Sequence, residues 1–245
     1  MRQKDTNLPA IIDIAIDFLY LPITTDPQFP TIAKHPFTDS IIIGMPDKKG
    51  KITAVNLSEK DALAQWEKSM EDWIRKIENP IFLMARISKS YRLAFLKYTE
   101  KYMSAQTLGK MLRDAWQTSE FPGSDPNLSQ KQLCKLFRES DKSSLISSEE
   151  LYNYEKLPET LRVWRGVRSE KKQDIYGMSW TLNIEQAQWF ANRFGQQGKV
   201  YTTEIQKENI LACINIGGED EIIVDSSKLK MSLKINKFFD FSIKS

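Results

Sequence analysis

Three short runs decide how this chain is read: Val163-Trp164-Arg165-Gly166, Met178-Ser179-Trp180-Thr181 and Gly218-Glu219-Asp220-Glu221-Ile222-Ile223-Val224. Each is rich in β-formers and carries polar groups: an arginine in the first, a hydroxyl pair in the second, two spaced glutamates in the third. Alternation predicts strands at 161–165 and 177–181, with further strands at 199–205, 209–214 and 221–224. Segments 231–235 and 238–243 extend the series, and Gly195, Gly198 and Gly217-Gly218 punctuate it. After the second run, Asn183 with Gln186 three residues on predicts a capped helix whose apolar side is Ala187, Phe190, Ala191 and Phe194. Trp189 and Phe190 are expected in the core. One helix among many strands makes a mainly antiparallel α+β module rather than alternating βαβ units. No G-x-G-x-x-G run is present, which disfavours a doubly wound dinucleotide fold.

Outward from there, the chain before Pro158 is mostly helical. Ser58-Glu59-Lys60-Asp61 reads as a cap, followed by Leu63, Trp66, Met70, Trp73 and Ile77 at helical spacing until Asn79-Pro80. Further helices are predicted over 81–103, 107–117, 128–138 and 147–156, the last capped by Ser147 or Ser148, with a loop at 121–127. Residues 1–57 are broken by Pro9, Pro22, Pro27, Pro30, Pro36 and Pro46. Within them Ile41-Ile42-Ile43 and Ile52-Thr53-Ala54-Val55 predict a hairpin with a long loop.

Composition narrows the chemistry. The 245 residues are 41% hydrophobic and 27% charged, as in ordinary globular domains, and a formal net charge of +3 does not by itself indicate a polyanionic partner. Two distant cysteines, Cys134 and Cys213, read as reduced structural thiols, and His35 is the sole histidine. A zinc site or a Ser-His-Asp triad is disfavoured on that inventory, and no metal is expected. No signal peptide or membrane-length apolar run is read, so a cytoplasmic protein without a membrane partner is expected. Between Arg75 and Arg113 basic residues outnumber acidic ones, with Tyr91, Phe95, Tyr98 and Tyr102 interleaved. An amphipathic helical face burying its aromatics is the favoured reading, and an RNA-tracking surface stays open.

Arg165, Ser179-Trp180-Thr181 and Glu219-Asp220-Glu221, in that order on successive strand-like runs, resemble the arginine–serine–glutamate class of mono-ADP-ribosyltransferases related to clostridial-type toxins. Trp180 departs from the pattern, replacing a small residue, and Thr181 stands where a serine is usual. The resemblance covers roughly the last third of the chain. It implies an ADP-ribosyltransferase-like fold, with a helical N-terminal part followed by a mainly antiparallel split β-sheet core. On that basis 1–57 is an accessory segment and 58–245 the transferase domain, helical over 58–157 and NAD-binding over 158–245. It implies NAD as the substrate and no metal cofactor. Arg165, Gly166, Ser179, Trp180 and Thr181 would hold NAD, with Glu221 and Glu219 catalytic. The acceptor would be a protein side chain or an RNA base. An intracellular bacterial or phage toxin or defence effector, with an antitoxin or inhibitor protein as partner, fits the class. An NAD glycohydrolase and a non-enzymatic binding module on the same fold are the rival readings.

Overall fold

The computed structural model describes residues 2–47, 49–119, 123, 125–195, 198–215 and 220–229, with the backbone alone at 194 and 234–235. The chain forms two compact units, Met1–Pro122 and Gly123–Ser245. This division differs from the expected one at 57/58 and falls inside the loop read at 121–127. Residues before Ser58 belong with the helices that follow them: Asn7 N donates to Tyr102 O at 2.8 Å and the Tyr20 hydroxyl donates to Glu71 at 2.6 Å.

The first unit opens with α1 (Leu8–Leu19), a helix the prolines concealed. Asn7 caps it by accepting from Ala10 N, and Pro9 sits in the first turn, where a missing N–H leaves no bond unmade. Its buried residues Ile11, Ala15, Phe18 and Leu19 follow helical spacing. Then come β1 (Thr24–Thr25), β2 (Ile32–His35) and β3 (Thr38–Ser40), which form a small antiparallel sheet, and the expected hairpin β4 (Ile42–Pro46) and β5 (Ile52–Asn56). His35 is fully buried with its edge toward Trp66; Nδ1 accepts from Phe37 N, so Nε2 donates to Leu19 O. Burial pushes its pKa down, which suits that neutral tautomer.

Helix α2 (Lys60–Arg75) starts at Glu59 without a side-chain cap. Ser58, the expected cap, instead bonds to Asn56 Oδ1. The single helix expected over 81–103 is broken into α3 (Ile81–Arg86) and α4 (Arg92–Thr99), with 3-10 turns at Lys89–Tyr91 and Glu100–Tyr102. Ile87 and Ser88 are extended there, and Ser88 N donates to Pro36 O at 2.7 Å, a distant partner that competes with the helical one. Helix α5 (Ala105–Thr118) follows, capped by Ser104.

The second unit is α+β with an antiparallel sheet. Helices α6 (Gln130–Glu139), α7 (Lys142–Leu145) and α8 (Ser148–Lys156) precede β6 (Thr160–Val167). Ser129 and Ser147 each form a full capping box, with Gln132 and Glu150 respectively. After β6 come a short α9 (Lys172–Ile175), β7 (Ser179–Thr181), α10 (Ile184–Asn192), β8 (Lys199–Gln206), β9 (Ile210–Ile214), β10 (Glu221–Val224) and β11 (Lys234–Ile235). Asn183 caps α10 as expected, accepting from Glu185 N and Gln186 N. The strand read at 238–243 lies outside the described residues, as does most of 231–235.

Sheet order is β11-β8-β6-β7-β10-β9. Strands β6 and β8 pair along eight residues, from Thr160↔Gln206 to Val167↔Lys199, whereas β6 and β7 meet at one pair, Trp164↔Thr181. The sheet is therefore two three-stranded halves joined at a narrow seam. Leu161, Val163, Val167, Trp180, Ile222 and Val224 form the core across it. No helix among the described residues is long and apolar enough to cross a membrane.

Candidate functional site

The register brings the three sequence runs together on adjacent strands. Trp164 of β6 pairs with Thr181 of β7, and Thr181 pairs with Glu221 of β10, a row that crosses the seam. Arg165 is the next residue along β6. Strand parity alone would put Arg165 on the face of Val163 and Val167, and Glu221 on that of Thr181. The Arg165 side chain turns along the seam instead: Nε donates to Asp174 O at 2.9 Å, and Nη1 donates to Ser179 O.

Those bonds consume two of the guanidinium's donors on backbone carbonyls, and Arg165 has no ion-pair partner among the described residues. Burial lowers its pKa to about 10, against the opposing pull of the Glu221 and Asp174 carboxylates. At pH 7 it is still charged. A part-buried guanidinium with further N–H groups is suited to an anionic group, phosphate above all.

Glu221 is half-buried and opens onto a cavity of about 70 Å³ lined by Glu150, Tyr154, Leu157, Leu182, Asn215 and Asp220, among others. Asp220, exposed at φ 42°, is the sole non-glycine residue at positive φ among the described residues. An aspartate tolerates that left-handed turn better than most side chains, and it aims the chain into β10. Glu219 lies outside the described residues. Cys213, also lining the cavity, is an inert thiol whose pKa burial pushes up to about 12; Cys134 is buried likewise, at about 11.

The remaining expected cofactor residues divide. Ser179 contributes its carbonyl to Arg165 and is half-buried. Thr181 is buried, and its Oγ1 accepts from Asn183 N, tying β7 to the start of α10. Trp180 is 2% exposed, in the core, with Nε1 donating to Gly177 O at 2.8 Å. Gly166 has a packing role: a Cβ there would lie 2.0 Å from Ala187 O and 2.5 Å from Ala191 N, so the missing side chain lets α10 settle on β6. Trp189, expected in the core, is 52% exposed, edge-on to Phe190 and under the Arg193 guanidinium.

Two anchors fix the ends of the hairpin that carries Glu221, and neither was read from the sequence. The buried Glu150 carboxylate accepts from Ser147 N at 2.6 Å and from Asn215 N at 2.9 Å, so one side chain both caps α8 and holds the end of β9. At the other end, Arg138 of α6 pairs with Asp225 at 2.5 Å. Burial works against the Asp225 charge, but bonds from Ser227 and Arg138 outweigh it and hold its pKa below the ordinary carboxylate range. The capping-box spacing from Ser147 to Glu150 was the available signal for the first anchor; its long-range half was not local. Replacing Glu150 by glutamine leaves one of these two backbone N–H groups facing an amide N–H₂. That costs on the order of 1 kcal/mol, and urea denaturation together with faster exchange of the Asn215 amide is the expected readout.

The basic helical stretch of the first unit is partly engaged within itself. Arg92 is buried, donating to Asp114 and to Ile87 O, Arg75 pairs with Glu71, and Arg86 lies over Trp73. Phe95 is buried, while Tyr98 is 53% exposed. No group of three or more His, Cys, Asp or Glu suited to a metal ion occurs among the described residues. No known protein family, curated protein or solved structure matches the chain.

Proposed function

We propose that this chain is an NAD-dependent mono-ADP-ribosyltransferase that moves ADP-ribose from NAD to a macromolecular acceptor and releases nicotinamide. The observation carrying this reading is the meeting of Arg165, Ser179-Trp180-Thr181 and Glu221 on three neighbouring strands, in the order that the resemblance requires. The narrow seam between two half-sheets is in keeping with the split sheet of an ADP-ribosyltransferase-like fold.

Breaking the bond between ribose and nicotinamide passes through an oxocarbenium-like state, as in glycoside hydrolysis. Nicotinamide leaves as a neutral molecule with the bonding electron pair, so the enzyme's main task is to orient the ribose and stabilise positive charge at its anomeric carbon. Glu221 would do so by accepting a hydrogen bond from the ribose 2′-hydroxyl that strengthens as charge develops. Arg165, charged and half-buried, would grip the pyrophosphate at the far end. The Ser179 and Thr181 hydroxyls would support the nicotinamide ribose. Glu219 is assigned to the acceptor, taking its proton as the new bond to the anomeric carbon forms. A role as a toxin or defence effector, with an antitoxin or inhibitor protein as partner, rests on the resemblance alone.

The test is incubation of the protein with NAD labelled in its ADP-ribose part and a whole-cell lysate. Nicotinamide release with label carried into macromolecules is expected. Splitting the sample between RNase and protease then identifies the acceptor as RNA or protein. Release with label found only in free ADP-ribose would mean that water is the acceptor. No release with any lysate would overturn the reading.

A further inference from the structure

Arg165 owes its position to residues 174–180, a stretch that folds around the guanidinium. Asp174 O and Ser179 O take two of its donors, and between them Gly177 lies flat against it. A Cβ at Gly177 would stand 2.4 Å from Arg165 Nη2, 2.6 Å from Cζ and 3.1 Å from Nε. Gly177 does not occupy the positive-φ region, so the position calls for glycine because of room and not because of backbone conformation. The Gly177 carbonyl is in turn held by the buried Trp180 indole at 2.8 Å. Trp180 is thus tied to the arginine through one glycine, although its own ring lies in the core.

We propose that Gly177 and Trp180 are positioning residues for Arg165: the indole fixes the Gly177 peptide, and that peptide is the shelf on which the guanidinium rests. This accounts for a tryptophan at the middle of the Ser-x-Thr run, where a small residue would leave the Gly177 carbonyl without this donor. The effect on NAD rests on the proposed role of Arg165 as its phosphate clamp; the effect on the guanidinium does not.

Gly177→Ala separates positioning from folding. The added methyl meets the far end of a flexible side chain, which can retreat by about 1 Å to ordinary contact distance, so the fold is expected to survive. A displacement of that size in a substrate clamp raises KM for NAD on the order of 10-fold to 100-fold. Because the clamp holds ground state and transition state alike, kcat is expected to stay within about twofold. Trp180→Phe removes the N–H and leaves a small cavity in the core, so it is expected to lower the melting temperature as well as to raise KM by a smaller factor. The Arg165 Nε–H, bonded to Asp174 O, should give a slowly exchanging NMR signal in the wild type. That signal should exchange faster in both variants, while the melting temperature of Gly177→Ala holds.

Unchanged exchange at Arg165 Nε–H in a folded Gly177→Ala variant would overturn the proposal, as would a fall in kcat at constant KM. A global loss of stability in Gly177→Ala would also overturn it, since the glycine would then be structural. If the wild type fails to release nicotinamide, the assignment of function falls, and the exchange measurement alone decides the positioning role.

Discussion

Glu221→Gln is expected to lower nicotinamide release by about 1000-fold, comparable to removing a principal electrostatic stabiliser from an active site. Glutamine keeps the size and a hydrogen-bond acceptor but loses the negative charge that an oxocarbenium-like state requires. The side chain is half-buried at the start of β10, and the backbone pairings of Glu221 with Thr181 and Ile214 do not depend on it. The variant is therefore expected to stay folded. Steady-state nicotinamide release at saturating NAD and a thermal melt on the same sample make the check. A folded Glu221→Gln protein with wild-type turnover would remove Glu221 from the chemistry.

Gly166→Ala is expected to act in the opposite way, through stability. The methyl at this position meets the backbone of α10, 2.0 Å from Ala187 O and 2.5 Å from Ala191 N. Backbone cannot swing aside as the tip of an arginine can, so either α10 lifts from β6 or the strand distorts. A Cβ at Gly198 would likewise lie 2.3 Å from Ala191 O, so close packing at both glycines leaves the helix little freedom to slide. Overpacking of this kind costs about 2–3 kcal/mol, which for a unit of this size lowers the melting temperature on the order of 10 °C. Calorimetry or circular dichroism would read it. An unchanged melting temperature would mean that α10 does not sit on Gly166. The two glycines, Gly166 and Gly177, border one arginine and receive the same added methyl. Their different outcomes follow from what each one touches.

Much of the second unit was legible because its signals are local. Alternation marked β6 and β8, and Ser147 and Asn183 announced the helices they cap. The prolines of the first unit were read as interruptions, although Pro9 starts a helix. The break at Ile87-Ser88 could not be read, since its competing partner, Pro36 O, is far away in the chain. In the site, the resemblance singled out Arg165, Ser179, Thr181 and Glu221, and their strands are neighbours in the sheet although β8 and β9 intervene in the chain. Side-chain partners were another matter. Arg165 spends bonds on the Asp174 and Ser179 carbonyls, and Glu150 reaches the Asn215 amide, and backbone atoms carry no residue signature to search for. Gly166 looked like a cofactor contact because it follows Arg165, but its close neighbour is α10.

The change of composition at Pro158 invites the excision of a minimal β-rich fragment, and the geometry advises against it. Such a cut would discard the Glu150 carboxylate that receives the Asn215 amide and the Arg138 guanidinium that receives Asp225. The β9–β10 hairpin would then lose the tether at the end of β9 and the one after β10, and the Asn215 N–H would lose its acceptor. The shortest polypeptide able to present Glu221 as it stands here begins ahead of Gln130, so that helices with no catalytic group of their own travel with the glutamate.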